Sequence, residues 1–271
     1  MTILRNGVTV GVLAAFGAAP ASAQPSPTPV TAAAFHVAPV PFAVGEELHY
    51  KASFAGIHAG SAAMKVVGIE SVRGRPAYHI VFTIDGGIPF YRVRDRYESW
   101  VDVQTLSSLR HVQNISEGGY HRNTTFEIFP DRGLYQKNGE ALQPSVAHPL
   151  DDGSFIYAIR AAAPGVGETR RDDRYFRPDR NPVVLSGLRA DTVNVDAGRF
   201  ATTVIRPSIK ANGIFSQNGD AQLWLSTDAN RYPVLLKSKF AKFSLTLELQ
   251  TVKQGDRVAQ GALIADVLAA R

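Results

Sequence analysis

The sequence predicts an all-β fold that is built mainly from antiparallel strands. In residues 42–54, alternate positions are apolar except for Glu46, and the positions between them are small or polar. Successive side chains of a strand point to opposite faces, so this pattern indicates a strand with one buried face and one wet face. The same alternation recurs in residues 77–84 and 91–103. A sandwich, an open or closed barrel, and a curved sheet around a helix would all accommodate such strands.

Turn signals separate these strand patterns and predict hairpins. Glu-Gly-Gly at 117–119 lies between two strand patterns, and Asn138-Gly139 is the favoured dipeptide of a two-residue hairpin turn. Gly56 and Gly60 lie on either side of Ile-His-Ala, which predicts a tight turn with positive φ or a β-bulge there.

One segment departs from the strand pattern and predicts a single central helix. Residues 150–164 contain apolar side chains at helical spacing, namely Phe155, Ile156, Ile159 and Ala163. Asp151, Asp152 or Ser154 would cap its start, and Pro164 lies at its end. Residues 255–271 are predicted to form a C-terminal tail or a short helix.

The first 23 residues have the layout of a signal peptide. Arg5 precedes an apolar run at about 7–19, and Ala-Ser-Ala occupies 21–23. Residues 24–40 are rich in proline and alanine, which predicts a flexible linker before a single β-rich domain at 41–254. We therefore expect an exported, soluble periplasmic protein without an integral membrane segment after signal cleavage.

The amino-acid composition excludes several kinds of active site and partner. The sequence contains no cysteine, so thiol nucleophiles, disulfides and cysteine-ligated metals are excluded. Without Arg5 the chain has 28 basic and 24 acidic residues, and this mild surplus of +4 argues against nucleic acid as a partner. Neither His-Glu-x-x-His nor Gly-x-Ser-x-Gly occurs, and the seven histidines fit surface or half-buried positions. We expect no catalytic residues, no metal and no cofactor.

The candidate binding residues lie mainly on one face of the strand at 91–103. Arg92, Arg94 and Arg96 alternate there, and guanidinium groups suit phosphate or carboxylate recognition. Glu98 and Trp100 share that face, where the tryptophan would cover the arginine stems or line a groove. The alternative is a solvated face of ion pairs. The binding interpretation predicts a cavity or groove whose polar wall includes Arg94 or Arg96.

Two further features leave alternatives open. Glu46 interrupts an apolar face, so it would lie at a rim or pair with an arginine inside a barrel mouth. A second basic cluster at 170–180 is either a ligand-binding surface or a solvated face whose arginines pair with the aspartates among them.

Several ordered segments resemble an exported bacterial family catalogued as domain of unknown function 3108. The resemblance covers most of residues 41–250, and the matching residues are Phe42, Gly45, Glu46, Leu48, Tyr50, Gly56, Ile57, Ala59, Gly60, Asp95, Glu98, Ser99, Arg160, Gly198, Phe200, Trp224, Ser226, Asp228, Arg231 and Pro233. The resemblance implies a periplasmic, curved or barrel-like sheet, broadly similar to the carriers that bind lipoproteins in the envelope. It implies no established activity and no catalytic residues.

Three functions fit these observations. The first is non-enzymatic binding of a lipid, glycan or envelope protein in envelope maintenance or transport. The second is a hydrolase or lyase acting on an envelope polymer, which a deep cleft holding Asp95, Glu98 and a histidine would favour. The third is a structural partner protein without a small ligand, which an exposed apolar patch without a cavity would favour.

Overall fold

A computed structural model describes residues 36–210, 220–240 and 243–270 of the chain, with Phe240 and Phe243 described by their backbone alone. The predicted signal peptide at 1–23 and residues 24–35 of the predicted linker lie outside these ranges. The described residues confirm the predicted fold class, because they form mainly antiparallel sheet with two helices.

The strands fall into two runs separated by a helix. The first run is β1 (Glu47–Phe54), β2 (Ile57–Val72), β3 (Arg75–Ile88), β4 (Tyr91–Asp102), β5 (Ser108–Glu117), β6 (Tyr120–Phe129), β7 (Leu134–Lys137) and β8 (Gln143–Pro144). Helix α1 (Ser154–Ala161) follows. The second run is β9 (Thr169–Asp172), β10 (Val183–Val195), β11 (Gly198–Ser208), β12 (Gln222–Ser226), β13 (Pro233–Phe240) and β14 (Phe243–Lys253), and helix α2 (Arg257–Ala269) comes last.

All fourteen strands in the described part of the chain belong to one sheet. Its order is β8-β7-β6-β5-β4-β3-β2-β1-β14-β13-β12-β11-β10-β9, so the first strand pairs with the last in the middle of the sheet. Among the described residues β8 and β9 are the edges, and they do not pair with each other. The connection between them carries α1, and Leu150 in that connection forms a parallel bridge with Tyr175. The sheet is therefore a curved, incomplete barrel around one central helix.

Apolar side chains line the concave face of the sheet, and α2 packs against β2 and β3 at one end. The predicted dry face of β1 is buried, with Leu48, Tyr50 and Ala52 at most 5% exposed. Helix α2 closes one end, where the Gln260 side chain donates to Tyr78 Oη (3.1 Å) and accepts from the Val44 backbone N–H (3.2 Å). None of the helices in the described ranges is long and apolar enough to cross a membrane.

Helix α1 lies where the apolar spacing predicts it. Phe155 and Ile159 are buried, at 2% and 0% exposure. Of the three candidate caps, Asp151 accepts hydrogen bonds through Oδ1 from the N–H groups of Gly153 (2.8 Å) and Ser154 (2.9 Å). This carboxylate satisfies donors that the first turn of a helix leaves without a partner.

The two glycines of the opening strands have different roles. Ala55 and Gly56 form the β1–β2 turn with φ values of 50° and 81°. Gly60 (φ 149°) lies at a β-bulge, and a Cβ there would come within 2.2 Å of the Asp85 carbonyl oxygen. The tight turn and the bulge therefore both occur, one at each glycine.

Candidate ligand-binding cavity

The curved sheet encloses a cavity of about 1400 Å³ on its concave side. Much of its wall is aliphatic or aromatic, including Phe82 and Ile84 from β3, Leu223 from β12, Leu236 from β13 and Leu245 from β14. Pockets for drug-sized molecules occupy roughly 300–1,000 Å³ and are mostly apolar. This cavity is larger, so it has room for a ligand with extended apolar chains.

Cationic side chains form part of the wall. Arg122, Lys137, Arg177 and Arg180 all line the cavity. Arg177 and Arg180 come from the second basic cluster at 170–180, so two of its arginines border the cavity. Guanidinium groups in such positions can bind the carboxylate or phosphate of an amphipathic ligand.

Acidic side chains lie on other parts of the wall. Asp95 from β4 is 4% exposed, and its Oδ1 accepts a hydrogen bond from the Ser116 backbone N–H (3.0 Å). Burial and the nearby Asp95 carboxylate raise the pKa of Glu117, the last residue of β5. A proton therefore binds Glu117 at a higher pH than it binds a free glutamate.

A buried polar network lies beside the cavity. Ser99 Oγ donates to Asp151 Oδ1 (2.6 Å), and His111 Nδ1 lies 2.9 Å from the Glu98 carbonyl oxygen, to which it donates. Burial lowers the pKa of His111, but the Asp151 and Asp152 carboxylates outweigh it, so its pKa lies above the usual value.

This network contains a serine, a histidine and an aspartate, the residue types of a nucleophilic triad, but it lacks the geometry. The serine proton is held by Asp151 instead of the imidazole, and Ser99, His111 and Asp151 are at most 1% exposed. None of the three lines the cavity. A nucleophile needs a base that accepts its proton and access to substrate, so this network supports the fold.

The sequence did not reveal this network, because its members lie far apart in the chain without a motif. The sequence signals were Asp151, identified as a candidate helix cap, and Ser99, which is one of the residues that carry the family resemblance.

The structure corrects the predicted position of the arginines relative to the cavity. Arg92, Arg94 and Arg96 lie on the outer face of β4, whereas the cavity wall takes Tyr91, Val93, Asp95 and Tyr97 from the same strand. Arg94 and Arg96 are 67% and 46% exposed. The expectation of a cavity wall that includes either arginine is wrong. The side of β4 that faces inward is the one that carries Tyr91, Val93 and Tyr97. Binding of some ligand by these arginines stays a prediction.

Glu98 and Trp100 take part in a network on that outer face. Glu98 accepts two hydrogen bonds from Arg96, both 2.9 Å long, and contacts His79 Nε2 at 2.8 Å. Trp100 stacks on the His79 ring at a centroid distance of 4.5 Å and donates Nε1–H to Glu70 (2.7 Å). Asp95 and Glu98 project from opposite faces of β4, so the cleft that would favour a hydrolase, with both acids and a histidine, does not form.

Glu46 pairs with an arginine, as one of its two predicted environments requires, but the pair is buried at the end of the sheet that α2 closes and Glu46 does not line the cavity. It is 3% exposed, and its carboxylate accepts hydrogen bonds from Arg160 Nη1 (2.6 Å) and Nη2 (2.9 Å). Arg160 also donates to the carbonyl oxygens of Asn230 and Arg231. The pair joins α1 to β1 and to the β12–β13 turn. Within the described ranges, no three histidine or acidic side chains lie close enough together to hold a metal ion.

The fold and the cavity define an incomplete antiparallel β-barrel with a large internal space. The profile of the family described as "Protein of unknown function (DUF3108)" matches residues 49–250, and the chain belongs to that family. The resemblance that the sequence motifs indicate is thereby confirmed. A comparison with curated proteins gave no match.

Solved structures provide a comparison of fold. A β-barrel-like protein of the domain of unknown function DUF1849 from Brucella abortus is similar at a TM-score of 0.53 and 9% identity, over 80% of this chain and 100% of that chain. A protein from Parabacteroides distasonis, provisionally described as a lipoprotein, has a TM-score of 0.37 and 12% identity over 79% and 98% of the two chains. The Brucella structure supports the barrel-like fold alone.

Proposed function

We propose that this protein is a non-enzymatic, periplasmic binding protein that holds an amphipathic lipid in its cavity and supports envelope maintenance or transport. The observation that carries the proposal is the cavity of about 1400 Å³ with apolar walls on β3 and β12–β14. The signal-peptide pattern at residues 1–23 supports the periplasmic location.

The chemistry of the walls favours a lipid over a glycan. Leu223, Leu236 and Leu245 offer no hydrogen bonds to sugar hydroxyls, whereas each buried methylene of an acyl chain contributes about 0.8 kcal/mol. Arg177 and Arg180 border the same cavity and suit an anionic carboxylate or phosphate head group. The expected ligand therefore combines one or more acyl chains with an acidic head.

A pair of neighbouring substitutions tests this proposal. Ile84 lines the cavity and Thr83 does not, since the two side chains project from opposite faces of β3. Ile84→Glu places a carboxylate in the acyl path and should weaken fatty-acid binding by about tenfold or more. Thr83→Glu is the matched control and should leave the affinity within about twofold of the wild type, because surface substitutions have small effects.

The measurement is displacement of a fluorescent fatty acid, together with native mass spectrometry and lipid extraction of protein taken from a periplasmic extract. Wild-type protein that neither binds the fatty acid nor carries a lipid would refute the proposal. Equal affinities of Ile84→Glu and wild type would place the binding site outside the cavity.

A further inference from the structure

Three hairpin tips lie side by side at one end of the sheet. They are the β1–β2, β3–β4 and β5–β6 turns, at residues 55–56, 89–90 and 118–119. The register pairs Gly60 with Gly86 and Val93 with Glu117, which places all three tips at the same end of neighbouring strands. We call this surface the hairpin end. It lies opposite the end that α2 closes.

Exposed apolar side chains are concentrated at the hairpin end. Nine large apolar residues are exposed within the described ranges, and five of them lie at these tips: Ile57, Ile88, Phe90, Tyr91 and Tyr120. The others are far apart in the chain: Val67 on β2, Leu142 and Val166 in loops, and Val258 on α2. A clustered apolar patch indicates an interaction site, whereas single exposed residues need no explanation.

Phe90 is the most exposed of these residues and adopts an unfavourable backbone conformation. Its φ is 69°, in the left-handed region that favours glycine or asparagine, and its side chain is fully exposed. A bulky side chain in this region costs backbone energy, and here no burial offsets that cost. Such an outlier points to a function in contacting something outside the chain.

The charges around the tips determine which partner fits. Arg92 and Arg94 directly follow the β3–β4 turn and are 62% and 67% exposed, with Asp85 as their shared acidic neighbour. Arg122, two residues beyond Tyr120, adds another exposed cation. Apolar and aromatic tips flanked by arginines match the interface of a bilayer that contains anionic lipids, where aromatic rings insert and cations pair with head groups.

We infer that the hairpin end docks on the surface of a membrane that contains anionic phospholipids. Ile88 and Tyr91 are exposed at the tips and also line the cavity, so the cavity extends to the docking surface. Docking would let an acyl chain pass between the bilayer and the cavity, and this last step rests on the proposed function. It also gives the outer-face arginines a role as contacts to phospholipid head groups.

The test is flotation of protein purified from a periplasmic extract with two kinds of vesicle. One kind contains only phosphatidylcholine, and the other contains about one quarter phosphatidylglycerol. Wild-type protein should float with the anionic vesicles, and higher ionic strength should weaken this binding because salt screens the arginines. Arg92→Gln with Arg94→Gln should weaken binding to the anionic vesicles alone.

Phe90→Asn separates docking from folding. Asparagine tolerates positive φ, so the melting temperature should stay the same or rise, while the partition coefficient should fall about tenfold or more. The matched control is Val258→Asn on α2 at the closed end, a residue that is 84% exposed and should leave the binding unchanged.

Each outcome distinguishes docking from ligand binding. Wild-type protein that fails to float, or Phe90→Asn protein that floats as well as wild type, would overturn the inference. Fatty-acid displacement without vesicles is measured on the same proteins, and Phe90→Asn should retain the wild-type affinity. Fatty-acid binding without flotation would refute docking and leave the proposed function intact. Flotation without fatty-acid binding would refute the proposed function and leave docking intact.

Discussion

The two ends of the sheet differ in how far their charged and apolar side chains are exposed to solvent. At the closed end, Glu46 and Arg160 are at most 4% exposed and hold each other through two hydrogen bonds. At the hairpin end, Arg92 and Arg94 are more than 60% exposed, and Phe90 projects into solvent. The difference indicates that the closed end is organised for stability, and the hairpin end for contact with a partner.

Four of the residues that carry the family resemblance belong to the closed side of this comparison, namely Arg160, Ser226, Asp228 and Arg231. Arg160 donates to the Arg231 carbonyl oxygen (3.0 Å), and the Arg231 side chain donates back to the Arg160 carbonyl oxygen (3.3 Å). Ser226 and Asp228 hold the same β12–β13 turn, in which Ser226 Oγ accepts from the Tyr232 backbone N–H (2.7 Å). These four matching residues therefore hold the β12–β13 turn and join it to the helix.

The largest expected effect comes from breaking the buried pair. Arg160→Met leaves the Glu46 carboxylate buried without a counter-charge and should lower the free energy of unfolding by about 3–5 kcal/mol. Urea denaturation followed by circular dichroism measures the loss. The double variant Glu46→Leu with Arg160→Met removes both charges and should recover much of the stability. A loss below about 1 kcal/mol in the single variant would contradict the structural role of the pair.

A smaller effect is expected from the pH dependence of the buried His111 network. The folded state raises the pKa of His111 above its usual 6.5, so the protonated form stabilises the fold. That stability is complete below pH 6.5 and is lost as the pH rises through the raised pKa. Each unit of pKa elevation corresponds to about 1.4 kcal/mol.

Urea titrations of wild type and His111→Gln between about pH 6 and pH 9 measure this contribution of His111 to the free energy of unfolding. The stability advantage of the wild type should shrink with rising pH over that window. An advantage that grows with pH would mean that the folded state holds His111 neutral, and it would contradict the assignment.

The smallest effect is expected at the outer-face arginines. Arg92→Gln removes an exposed ion pair with Asp85 and should change the free energy of unfolding by about 1 kcal/mol or less. The same urea denaturation measures it. A loss comparable to that of Arg160→Met would remove the distinction between the two ends of the sheet.

Local patterns were sufficient to predict much of the fold. The alternation in 77–84 and 91–103 predicted β3 and β4, and Asn138-Gly139 predicted a turn that the structure contains with φ values of 48° and 76°. The spacing in 150–164 predicted α1. These features depend on side-chain period and turn chemistry, which are properties of a few neighbouring residues.

The candidate site was predicted less completely. The alternation of residues along β4 correctly placed Arg92, Arg94 and Arg96 on the face opposite Tyr91 and Val93. It did not reveal which of the two faces borders the cavity. The basic cluster at 170–180 supplied two cavity arginines, whereas most of the remaining wall comes from strands distributed along the chain. A cavity wall assembled from many strands leaves no local motif.

The sequence by itself determined the strands, the turns, the helix α1 and the family of this protein. The tertiary structure alone decided which face of each strand is concave, which partner Glu46 meets 114 residues away, and that three apolar tips share one end. The physical reason is that strand periodicity is local, whereas the curvature of the sheet depends on long-range contacts such as the pairing of β1 with β14. That pairing joins opposite ends of the chain, and it places the cavity and the hairpin end together.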